Sequence, residues 1–192
     1  MAEATGIREH VPLAPFTSIK VGGLADAVAT CTSFRGVTEA LAWAAARDKP
    51  VAVVGKGSNL IVDDAGFRGL VIRLAGRLAG ISVRSDRTLW CGGGASLPRA
   101  VQRAAAAGLT GLEFGASIPG TVGGAVAMNA GAWASDLSEV LDWAVICDAE
   151  GRHTVGRDDL AMGYRTTAVK GDQVVAAAGF RLAPGDTAAI KA

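Results

Sequence analysis

The chain has 192 residues, half of them hydrophobic, with 26 glycines, few aromatics and a net charge of +1. That length suits one large domain or two small ones, and with no long block of either sign no nucleic-acid partner is expected. Two histidines and three scattered cysteines, Cys31, Cys91 and Cys147, show no metal-ligand or redox spacing. No metal is therefore expected, and the cysteines read as buried or free thiols of a reducing compartment.

At the N-terminus, "MAEATGIREHVPLAPF" lacks the basic-then-apolar order of a signal peptide. Every apolar run is interrupted before it reaches membrane length, so the reading is a soluble, cytoplasmic protein with no membrane partner. "TSIKV" and "DAVATC" are short strand candidates around Gly22 and Gly23. Thr32 or Ser33 is placed to cap a helix through "VTEALAWAAARDK", where Val37, Ala40, Leu41 and Ala44 recur at helical spacing and Pro50 closes the segment. "VAVVG" and "GLVIRL" follow as apolar strands. Strand, helix and strand within this length predict a βαβ unit with a parallel sheet.

The second half changes character. "AGISVRSDRTLWCGGG" alternates on both sides of Ser85-Asp86 and reads as a hairpin. Ser96 is an N-cap candidate for "LPRAVQRAAAAG", with Pro98 in the first turn and Gly108 as the stop. Arg99 and Arg103 share a face of that helix and read as a solvated surface. "VLDWAVICDAEGRHTV" reads as a second hairpin turning at Glu150-Gly151, "RDDLAMGY" as a short helix or turn, and "DQVVAAAGFRL" as a final strand. The fold class expected is α+β in two lobes: a small βαβ lobe over 1–78, and a larger lobe over 79–183 with a mainly antiparallel sheet and helices. Residues 184–192 read as the start of a linker.

Two stretches carry chemistry. In "VVGKGSNLIV" an apolar run breaks at Gly55, Lys56, Gly57, Ser58 and Asn59. Glycine permits positive φ and removes the Cβ that would hold a neighbour away. Successive amides in such a turn form an anion-binding concavity, and serine and asparagine add donors. The pattern is neither a Walker loop nor GxGxxG, and on its own an ordinary turn explains it better. "GLEFGASIPGTVGGAVAMNAGAW" then gathers six glycines between Gly111 and Trp133, with Pro119-Gly120 as a turn and Thr121 at a helix start. Gly123 and Gly124 inside a helix cost about 1 kcal/mol each against alanine. Close approach of a ligand or of another backbone would explain that cost, and tight helix–sheet packing is the alternative.

"FTSIKVGGLAD", "VVGKGSNLIV", "GLEFGASIPGTVGGAVAMNAGAW" and "GYRTTAVKGD" stand in this order in one chain. Together they resemble the UDP-N-acetylenolpyruvoylglucosamine reductase family, from about Pro15 to Leu182. "GxGSN" is shared across PCMH-type FAD-binding domains, whereas "IPGTVGGAVAMNAGA" followed by "GYR" is more specific. The lack of an inserted segment between these blocks resembles the shorter of the family's two types.

The resemblance implies a PCMH-type FAD-binding fold with FAD between the lobes. It assigns Gly55, Lys56, Gly57, Ser58, Asn59 and Leu60 to the loop around the FAD pyrophosphate, and Pro119, Gly120, Thr121, Gly123, Gly124, Asn129 and Gly131 to the second flavin segment. Tyr164 and Arg165 match the family's pair on the substrate side, with Arg165 a catalytic residue whose fixed charge stabilises negative charge on the enolpyruvyl group.

The implied reaction passes electrons from NADPH through FAD to the enolpyruvyl group of a nucleotide sugar. It gives UDP-N-acetylmuramate for peptidoglycan, and so serves cell-wall biogenesis, cell shape and division. The family's protonating serine, in a "GSxFKNP"-like segment, and its C-terminal glutamate have no match here. Ser117, Ser135 and Ser138 stand in other contexts. The sequence therefore reads as the FAD-binding portion, with the C-terminal substrate-binding domain missing. The alternatives are a flavin-binding module or degenerate copy without full turnover, and another PCMH-type flavin oxidase, which the second motif matches poorly.

Overall fold

A computed structural model describes residues 6–186, so residues 187–192 of the expected linker lie outside the described residues. The first strands and helix are β1 (Ile7–Pro12), β2 (Leu24–Cys31), α1 (Phe34–Ala45), β3 (Val51–Val53) and β4 (Phe67–Leu74). They make a sheet of order β1-β2-β4-β3, in which β2 and β3 both run parallel to β4. The βαβ expectation holds, with β4 inserted between the two strands that α1 connects. Ser33 caps α1, its Oγ accepting from the Gly36 amide at 3.1 Å. Val37, Ala40, Leu41 and Ala44 form the buried face.

The remaining elements are β5 (Ile81–Val83), β6 (Thr88–Gly92), α2 (Leu97–Ala106), β7 (Leu109–Thr110), α3 (Val122–Ala127), β8 (Gly131–Ala132), β9 (Ser135–Asp136), β10 (Leu141–Cys147), β11 (Arg152–Gly156), β12 (Val174–Arg181) and β13 (Ala183–Pro184). Five of them form an antiparallel sheet of order β11-β10-β12-β6-β5. Both expected hairpins, β5–β6 and β10–β11, are present. The central strand β12 is buried from Val174 to Phe180, which its run of valines, alanines and glycine fits, since small apolar residues suit a strand covered on both faces. The mixture of helix and sheet is the expected α+β class.

Two elements differ from the sequence reading. Thr17–Val21 is not a strand. There Thr17 Oγ1 donates to the carbonyls of Ala14 and Val21, so polar groups close turns where alternation suggests extension. β1 is a strand despite its largely polar sequence, because it is an edge strand paired only with β2 and mostly exposed. The sheets share a core beneath α1. Ala27, Ala29, Leu70 and Ile72 of the first pack in one cluster with Cys147, Val174 and Ala176 of the second. Among the described residues no helix is long and apolar enough to cross a membrane.

Candidate functional site

The glycine loop begins where β3 ends. Val54 still pairs with β4, donating to the Ile72 carbonyl at 2.9 Å, so Gly55 leaves directly from the sheet. Gly57 has φ +65°, and a Cβ there would collide with the Phe16 carbonyl. Ser18 clamps the same residue, donating to the Gly57 carbonyl from its amide at 3.1 Å and from its hydroxyl at 2.9 Å. The segment expected as a strand is thus the brace of the loop.

Across from the loop lies the stretch from Ile118 to Ala130. A Cβ on Gly55 would collide with the Thr121 hydroxyl. Ser58 Oγ donates to the Pro119 carbonyl at 3.2 Å, and Asn59 Nδ2 meets Met128 Sδ at 3.3 Å. Between the two segments is a cleft of about 490 Å³, in the range of small-molecule sites.

The structure brings most of the expected residues to this cleft. Gly55, Lys56, Gly57, Ser58, Asn59 and Leu60 line one side, Pro119, Gly120, Thr121 and Gly124 the other, and Arg165 also lines it. Lys56 and Arg165 are the charged residues of the lining, which contains no carboxylate. Cations in a concave site favour an anionic ligand.

Gly123, Asn129, Gly131 and Tyr164 do not line the cleft. A Cβ on Gly123 would lie 2.6 Å from the Val175 carbonyl, so its bareness serves the packing of α3 on β12. Asn129 is 2% exposed. Its amide nitrogen donates to the Gly163 carbonyl at 2.9 Å, and its amide oxygen accepts from the Ser138 amide at 3.1 Å. Gly131 offers its carbonyl to the Arg165 guanidinium at 2.7 Å. Tyr164 is 89% exposed, with the Arg165 guanidinium 5.6 Å from its ring.

These bonds fix the Tyr164-Arg165 turn to the end of α3. Gly163 and Thr166 bond reciprocally across the turn, and Thr167 Oγ1 donates to the Ala127 carbonyl at 2.8 Å. Arg165 itself has φ +56°. A non-glycine residue kept in the left-handed region is uncommon and concentrates at functional sites.

The apolar lining residues Val53, Ile118, Ala125, Met128 and Ala130 lie within the two glycine-rich stretches, but the motifs give them no role. For Ala125 and Met128 the signal is the spacing of Thr121, Gly124, Ala125 and Met128, which puts all four on one face of α3 and its flanks. Apolar groups beside a polar loop suit a ligand with an apolar part at one end and an anionic group at the other. The bare face of Gly124, where an added Cβ would meet nothing closer than Thr121 Oγ1 at 3.5 Å, leaves room for it.

Comparison with known proteins agrees with this geometry. The family described as "FAD binding domain" matches residues 25–156. UDP-N-acetylenolpyruvoylglucosamine reductase of Acidiphilium cryptum is 43% identical over 186 residues, covering 95% of this chain and 59% of the relative. The enzyme of the same name from Lactococcus lactis subsp. cremoris is 42% identical over 187 residues, covering 96% of this chain and 62% of the relative. The chain thus spans about three fifths of the length of these relatives. The crystal structure of UDP-N-acetylenolpyruvylglucosamine reductase from Thermus caldophilus superposes with a TM-score of 0.84 at 33% identity, over 96% of this chain and 66% of that one.

Proposed function

We propose, because the chain belongs to the FAD binding domain family, that its cleft holds FAD and that it is the FAD-holding portion of a UDP-N-acetylenolpyruvoylglucosamine reductase. The observation that carries this is the meeting of two glycine-rich segments around a cleft with apolar walls, two cations and no carboxylate. In this reading the amides of the loop from Gly55 to Asn59 receive the pyrophosphate. Thr121 and Gly124 take the flavin end, where the missing Cβ admits a flat ring. Gly123, Asn129 and Gly131 support that wall from behind.

FAD, when bound, supplies the hydride chemistry. The chain supplies orientation and charge. Arg165, anchored to the Gly131 carbonyl, sets a permanent positive charge at the cleft for the negative charge that builds on the enolpyruvyl group. Tyr164 beside it presents an exposed ring to the nucleotide sugar. NADPH is the reductant, UDP-N-acetylmuramate the product and the cytoplasm the location. The lobes divide at about residue 78, and the stretch from 184 leads toward the substrate-binding portion. In this reading the protonating serine and the glutamate that the resemblance implies lie outside the matched length.

The partial coverage of those relatives favours a second reading beside the first: a flavin-binding module that does not complete turnover alone. Purification tests what the two share. The chain is expected to be yellow, or to become so with excess FAD; a chain that stays colourless contradicts both.

A further inference from the structure

Lys56 Nζ donates to Ser96 Oγ at 2.8 Å, the two residues lying 40 positions apart. Lys56 rides on the loop after β3, while Ser96 stands at the N-cap position of α2. A serine there ordinarily accepts from an amide of the helix's first turn, yet this hydroxyl makes no such bond. Ser96 is itself fixed: it forms a bridge with Thr121, and the next amide, Leu97 N–H, donates to the Gly120 carbonyl at 3.2 Å. The Ser96 backbone is therefore held against the second glycine segment, and its hydroxyl, unused by the helix, accepts from the lysine that spans to it.

We infer that Ser96 is a positioning residue that acts through Lys56, latching the ammonium at the cleft so that it meets the anionic end of the ligand already in place. A lysine carries a flexible four-carbon stem, and restraining it before binding removes an ordering cost from the binding step. An ammonium has three donors, so one bond to Ser96 leaves two for phosphate oxygens, and the latch assists the ligand rather than competing with it. The inference rests on the FAD reading of this cleft, and it assigns Ser96 a part that neither glycine segment contains.

FAD titrations at low ionic strength, followed by flavin fluorescence, test it with Lys56→Met, Ser96→Ala, the double variant and Ser96→Thr. Lys56→Met is expected to weaken binding about tenfold, the scale of one charge-assisted hydrogen bond, and added salt should narrow that gap. Ser96→Ala is expected to weaken it about threefold, through loss of preorganisation alone. The double variant should bind no more weakly than Lys56→Met, since Ser96 acts only through the lysine. Ser96→Thr, which keeps the hydroxyl, should restore binding. Wild-type binding of FAD with no loss in Ser96→Ala, or a Ser96→Ala loss that persists when Lys56 is already methionine, would overturn the latch and leave the FAD site standing. Failure of the wild-type chain to bind FAD would overturn both.

Discussion

Gly123 and Gly124 are neighbours on α3 with opposite surroundings. A Cβ on Gly123 would press into the backbone, 2.6 Å from the Val175 carbonyl and 3.0 Å from the Gly93 carbonyl, whereas one on Gly124 would stand 3.5 Å from a single hydroxyl, facing the cleft. The first glycine is required by the fold and the second is free to serve a ligand. Gly123→Ala is accordingly expected to lower stability by about 2 kcal/mol, the usual scale of overpacking. Gly124→Ala should leave stability unchanged or raise it by up to about 1 kcal/mol. Urea unfolding followed by circular dichroism separates the two.

The sequence shows these glycines as a pair and cannot divide them, because what the missing Cβ of Gly123 makes room for lies 52 residues away, at Val175 on β12. Local signals are legible in the sequence: the Ser33 cap, the α1 face, both hairpins and the two glycine segments. The role of Thr17–Val21 is not, because its apolar residues look like a strand, while its function depends on Ser18 reaching Gly57 across 39 positions. Asn129 shows the same limit. Its motif marks it as important, but only the fold shows it bonded to Gly163 and Ser138 rather than lining the cleft. The bond from Lys56 to Ser96 joins two segments that no pattern connects.

Arg165 lines the cleft and is anchored by one bond to the Gly131 carbonyl. In a protein extended to the full length of its relatives, Arg165→Ala is expected to lower kcat by about two orders of magnitude, the scale for removing one group that stabilises developing charge. FAD affinity should change by less than about threefold, since this charge is assigned to the enolpyruvyl group and not to the FAD pyrophosphate. Lysine, a point charge without the planar fork, should restore only part of the rate. Equal losses of rate and FAD affinity would make Arg165 a structural residue.

All three cysteines are buried. Burial pushes the Cys31 and Cys147 thiols up to about 11 and the Cys91 thiol up to about 12. Because the thiolate is the reacting species, a thiol-specific reagent at pH 8 should label none of them in the native chain and all three in denaturant. Rapid native labelling would contradict this packing.

Glu113 anchors the entry to the second segment. Burial works against its ionisation, but the Thr110 hydroxyl, at 2.6 Å, and nearby backbone amides, including Gly111 at 2.7 Å, outweigh it and hold the carboxyl below its usual range. A depressed folded-state value stabilises the fold above the unfolded-state value of 4.5, and that contribution is lost as pH falls through the folded-state value. The stability gap between wild type and Glu113→Gln should therefore be constant from neutral pH down to about 5 and shrink in stronger acid. A gap independent of pH throughout would contradict the assignment.

The proposed position of FAD is the space between the glycine loop and the bare face of Gly124. Titrating FAD into the chain and into Gly124→Leu, with flavin fluorescence and thermal unfolding read on the same samples, tests it most directly. Saturable binding of one FAD by wild type is expected, with a variant equally stable but at least about tenfold weaker, because leucine fills the cleft without touching the core. Equal FAD binding by a folded Gly124→Leu would contradict it.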